Sequence, residues 1–177
     1  MSSKNNIAAV LALMSPVVAI TAHAEIYMSD EQATKIFFPT DVFKKETLTL
    51  TDEDAKKIES ASGENVRNKT MTIFKSKDGN IVFIDQALGK HEFITYAIGI
   101  NKEGKVQGIE ILEYRESYGH QVRREEWRKQ FVGKDKTAPL KLDKDIKNLS
   151  GATLSSAHIT GGVRRILQTY EQVKGRL

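Results

Sequence analysis

Between Leu149 and Ser156 the chain reads LSGATLSS, a run of small and hydroxyl-bearing residues. Hydroxyls on Ser150, Thr153, Ser155 and Ser156 flank the pair Gly151-Ala152. Hydroxyls donate, accept or can be esterified, and small residues let a bulky group approach the backbone. Downstream, Ile159, Val163, Ile166, Leu167, Tyr170 and Val173 recur at helical spacing, which predicts a helix with one buried stripe. The small residues then stand at a helix N-terminus, where unpaired N–H groups and the positive dipole end favour an anion. The chemistry is a phosphate seat with a candidate attachment hydroxyl. Ser and Thr at such a place also serve as ordinary N-caps, and on residue type alone that is the commoner use.

Ser150-Gly151-Ala152-Thr153, followed by Leu154-Ser155-Ser156, resembles the Ser/Thr-Gly-Ala-Thr/Ser signature of the FMN-binding domain family. That family includes the flavin-carrying periplasmic subunits of the Rnf complex and of the sodium-translocating NADH:quinone oxidoreductase. The resemblance implies FMN esterified through its phosphate to Thr153 by a periplasmic flavin transferase. Ser150, Gly151, Ala152, Ser155 and Ser156 would surround the attachment. The transferase motif often has an acidic residue three positions before the signature. Lys147 stands there, with Asp145 and Asp143 the nearest carboxylates, so non-covalent binding of FMN or another phosphate ligand is the alternative.

A second stretch, Glu116-Ser117-Tyr118-Gly119-His120, is similar to the E-T-P-G-L-G loop of larger family members. It matches at Glu116 and Gly119, has Ser117 in place of Thr, and lacks the Pro and the second Gly. The resemblance implies that Gly119 admits a flavin ring and that Glu116 accepts from a ring or ribityl donor. A surface turn with a charged residue is the other reading.

The remaining candidates favour plainer roles. His91, His120 and His158 lack metal-ligand spacing, so no metal site is expected. His158 could help neutralise a phosphate one turn away, or face solvent. Trp127 could stack on a flavin, but with Phe131 one turn on it reads as core. Arg123, Arg124, Arg128 and Lys129 read as the solvated face of a helix over residues 121–131. Gly161 and Gly162 inside the last helix cost about 2 kcal/mol against alanine, so close packing on the sheet or on a ligand is expected there. No catalytic acid or base stands out.

These residues need a scaffold, and most of the chain can supply one. Residues 1–24 read as a signal peptide: Lys4, an apolar run from Ile7 to Ile20, and Ala22-His23-Ala24 as a cleavage site. Export to the periplasm follows as an expectation. The absence of cysteine excludes disulfides, thiolate-held clusters and c-type haem attachment. Removing residues 1–24 takes away Lys4 and no acid, so the net charge falls from +4 to +3, too mild to argue for nucleic acid.

Residues 25–177 read as one FMN-binding domain of α+β class, with an antiparallel sheet of about four strands flanked by helices. Ser29 with Gln32, and Thr51 with Asp54, have capping-box spacing and predict two short helices, the second closed by Gly63. Ala33, Ile36 and Phe37 would form the apolar face of the first. The strands are expected over residues 70–75, 81–87, 93–101 and 106–114, with one face buried and a weaker strand at 47–50. Residues 134–148 read as a connection returning to the signature. The expected role is an electron-transfer carrier with a membrane-bound or exported redox partner, and peripheral membrane contact is compatible with it.

Overall fold

Runs of Ile, Val, Phe and Thr at the centre of the chain pair into an antiparallel sheet, as their β-propensity predicts. The computed structural model describes residues 25–177, so the expected signal peptide lies outside the described residues. The chain runs β1 (Glu25–Ile26), α1 (Asp30–Phe37), β2 (Phe43–Thr49), α2 (Asp52–Ser62), β3 (Thr70–Ser76), β4 (Ile81–Leu88), β5 (Phe93–Ile100), β6 (Val106–Tyr114), α3 (Glu125–Arg128) and α4 (Thr153–Val173). The sheet order is β1-β6-β5-β4-β3-β2.

The class is α+β as expected, but six strands replace the four or so read from the sequence. Both additions are edges. β2 pairs with β3 over its whole length, although only residues 47–50 alternate visibly. Lys44, Lys45 and Glu46 hide the rest, and charge on an edge strand is how sheets avoid pairing with other chains. β1 adds just two residues to β6, too few for a periodic signal.

The sheet is also covered on both faces, where one buried face was predicted. α2 and α4 cover the larger core, and every residue of the α4 stripe from Ile159 to Val173 is buried. On the opposite face, Ala33, Phe37 and Phe38 pack on Phe74, Val82, Ala97 and Leu112. Gly99 and Gly108 are register partners on β5 and β6. A Cβ at either would stand 2.8 or 2.9 Å from the Phe37 ring, so the glycine pair forms the slot that seats it. Ile36 points away and is 52% exposed, because the short α1 rests on its Ala33, Thr34 and Phe37 side.

The predicted helix over residues 121–131 is broken into a 3-10 turn, the four-residue α3 and a second 3-10 turn. Arg124, at ψ 127°, is extended and interrupts it. That break turns Arg128 inward instead of outward. It pairs with Glu110, and its Nη1 donates to the Ile109 carbonyl at 2.9 Å, which ties this segment to β6. Gly161 and Gly162 serve close packing. A Cβ at Gly161 would collide with the Glu64 carboxylate, and one at Gly162 with the Tyr96 hydroxyl of β5.

Candidate flavin site

The signature lies where the connection over residues 134–148 returns to the sheet. Trp127 Nε1 donates to the Lys147 carbonyl at 2.8 Å, and Lys147 N donates to Gln130 Oε1 at 2.7 Å. Trp127 is buried with its ring edge-on to Phe131, so it is core, and it holds the approach to the signature in place. The Lys147 side chain remains exposed.

Gly151 takes φ 80°, a conformation that favours glycine, and it turns the chain into α4. Thr153 is the first helical residue. The N-cap is Ala152, with no side-chain hydrogen bond, so none of the neighbouring hydroxyls performs the capping that their types suggest. The first turn of a 21-residue helix therefore presents N–H groups with neither a capping oxygen nor an acidic residue before them.

The four hydroxyls separate by environment. Ser155 and Ser156 are buried. Ser155 Oγ lies 3.2 Å from the Tyr114 hydroxyl, and Ser156 Oγ donates to Asn148 Oδ1 at 3.1 Å and to the Thr153 carbonyl at 3.0 Å. Ser150 and Thr153 are exposed, and only Thr153 stands on the helix. A group attached there meets the open amides of its own helix end.

The stretch from Glu116 to Gly119 is brought to the same place. Gly119, at φ 93°, presses on the signature: a Cβ there would stand 2.6 Å from the Tyr114 hydroxyl, 2.9 Å from Ser155 Oγ and 3.8 Å from the Ala152 Cα. Glu116 is used differently. Its carboxylate accepts from the backbone N–H groups of His91 and Glu92, clamping the β4–β5 hairpin. Burial pushes its carboxyl up, but donation from Glu92, His91 and Lys90 outweighs this and holds it below its ordinary value. His158 is exposed, with Nδ1 donating to the Leu88 carbonyl of β4.

Two residues go beyond the sequence reading. The Tyr114 hydroxyl donates to the Tyr118 carbonyl at 2.6 Å and so joins the loop to Ser155; burial pushes its pKa up. A buried tyrosine needs a hydroxyl partner, which was the available signal. Gln121 lies beside the turn, its Nε2 placed 3.2 Å from where a Gly151 Cβ would be. Its Oε1 is buried without a hydrogen-bond donor. An orphaned acceptor beside an uncapped helix end suits a ligand carrying both an anion and donor groups.

Residues 89–168 match the FMN-binding domain family. The matched span includes both the stretch from Glu116 to Gly119 and the Ser150–Thr153 signature, and the resemblance to that family holds. Among solved structures, the chain is similar to a Na(+)-translocating NADH-quinone reductase subunit from Parabacteroides distasonis. The TM-score is 0.51 at 12% identity, over 83% of this chain and 84% of that one, which shows a shared fold. No curated protein matches. The residues present fit the FMN-binding domain: an uncapped anion seat, a left-handed glycine turn and a buried orphan acceptor lie together.

Proposed function

We propose that this protein is an exported flavoprotein that carries FMN as a phosphoester on Thr153 and works as an electron-transfer carrier. The observation that supports this reading best is the contrast among the hydroxyls. Thr153 is exposed on the first residue of α4, while Ser155 and Ser156 are buried and internally bonded. Bound FMN supplies the redox chemistry, taking up electrons singly or in pairs. The chain's own residues seat and enclose it. The α4 amides face the phosphate, Gly151 and Ala152 permit its approach, Gly119 keeps the neighbouring loop close, and Gln121 offers its unused acceptor. A tether suits an exported carrier, because a free flavin would diffuse away. A periplasmic flavin transferase would install it, and a membrane-bound or exported protein would exchange its electrons.

The test is co-production with an active periplasmic flavin transferase. The protein should stay fluorescent in denaturing gels, and mass analysis should place FMN less one water on the peptide containing Ser150 to Ser156. Unmodified protein beside a fully modified control would overturn the ester. Lys147 favours one other reading, FMN held without a bond, because its exposed cation stands where the transferase motif often has an acid. In that case the colour would be lost on denaturation. Lys147→Asp should raise the modified fraction if this departure weakens recognition.

A further inference from the structure

The hydrogen-bond ladder between β3 and β4 stops early. It runs from Lys75↔Ile81 to Thr72↔Ile84. β3 stays paired with β2 as far as Thr70↔Thr49, and β4 with β5 as far as Leu88↔Phe93. Thr70 and Met71 thus part from Asp85 and Gln86, and the sheet opens into a V. A cleft of about 440 Å³ occupies the opening, within the range of small-molecule sites.

Its floor is charged but balanced. Arg165 reaches in from α4 with its side chain 12% exposed and pairs with Asp85, which also accepts from the Tyr96 hydroxyl. Arg165 Nη1 donates to the Asn65 carbonyl at 2.9 Å. Burial works against the Arg165 cation, but Asp85 outweighs it and keeps the group charged. The rim is not balanced. Arg67 is exposed and pairs with no carboxylate among the described residues. Between rim and floor, Met71, Ile84 and Phe93 supply apolar wall, and Gln86 and Thr95 supply polar groups.

We propose that this cleft binds a small organic carboxylate with a flat apolar body, its carboxylate on Arg67 and its body against Met71, Ile84 and Phe93. The planar guanidinium fork matches a carboxylate. The apolar wall offers nothing to a fully hydrated inorganic anion, so an apolar body is part of the recognition. The site is separate from the signature: Arg165 follows Thr153 by twelve residues on α4, a rise of about 18 Å. It does not depend on how, or whether, flavin is held.

The probe is 2-naphthoate, titrated calorimetrically into the full-length protein. Saturable binding of one equivalent is expected. Arg67→Gln should weaken it by roughly tenfold or more, the usual loss for a charge-assisted hydrogen bond. Thr95→Phe should abolish it by filling the cleft; because Arg67 is exposed, Arg67→Gln carries the test if Thr95→Phe does not fold. Neutral 2-naphthalenemethanol and inorganic phosphate should each bind at least tenfold more weakly. Thr153→Ala cannot hold an ester-linked flavin, and it should bind 2-naphthoate as the parent does, so this site and the flavin assignment fail separately. No saturable binding at millimolar 2-naphthoate would overturn the proposal. So would equal binding by Arg67→Gln, or binding of phosphate as tight as that of 2-naphthoate.

Discussion

Helices α2 and α4 pack against each other on one face of the sheet, yet their N-termini are built in opposite ways. At α2, Thr51 and Asp54 form a complete capping box, and Asp54 also accepts from Gln172 and Arg176 beyond it. Its carboxyl is held well below the ordinary range, chiefly by the Arg176 guanidinium and despite burial. At α4, the N-cap is an alanine with no side-chain bond, although hydroxyl residues stand on both sides of it. One end has its donors satisfied for stability. The other leaves them open, and that is the end carrying the family signature. An uncapped helix terminus leaves its amides to water or to a ligand, and the phosphate of the proposed flavin would take that place.

The strongest way to break this comparison is Thr153→Ala. Tethered flavin should vanish completely, read as in-gel fluorescence, while the thermal midpoint of the flavin-free protein stays near that of the parent. A large loss of stability would mean that Thr153 is structural, as Thr51 is. Next is Asp54→Asn, expected to destabilise by about 2 kcal/mol in denaturant titrations through its charge-assisted bonds. Because the folded-state pKa of Asp54 is depressed, its contribution is whole above the unfolded value near 4 and is lost as pH falls toward the folded value. The parent should therefore lose stability below about pH 4 more steeply than Asp54→Asn. Equal slopes would remove Asp54 from the account.

Thr51→Ala should cost about 1 kcal/mol, the usual value of an N-cap, with no change in flavin content. The smallest effect sharpens the contrast most. Ala152→Ser offers α4 the cap it lacks and should gain about 0.5 kcal/mol in the flavin-free protein. The same change should lower flavin occupancy, measured as the visible-to-ultraviolet absorbance ratio, because the new hydroxyl competes for the amides. Higher stability with undiminished occupancy would show that the amides do not seat the ligand.

Much of this was legible in the sequence because the signals are local. The capping boxes at Ser29 and Thr51, the left-handed Gly63 and the α4 stripe all depend on residues within a few positions of one another. The four central strands read clearly for the same reason. β2 did not, because exposed Lys44 and Lys45 and half-buried Glu46 put three consecutive charges at an edge and blur the alternation. Ile36 and Arg128 were misplaced because periodicity assumes an uninterrupted helix with a broad apolar face. α1 is too short for that, and the chain is extended at Arg124.

By itself, the sequence determined the α+β class, the order of the main elements and the position of the signature at the head of α4. Local chemistry suffices for these: β-branched runs, helical spacing, and a glycine that can turn left-handed. Only the tertiary structure decided that Ser155 and Ser156 are internal while Thr153 is free, and that Glu116 clamps a hairpin. It alone placed Gly119 on Ala152 and opened the sheet between β3 and β4. Each of these depends on which distant backbone or side chain lies within a few ångströms, and spacing along one chain does not encode that distance.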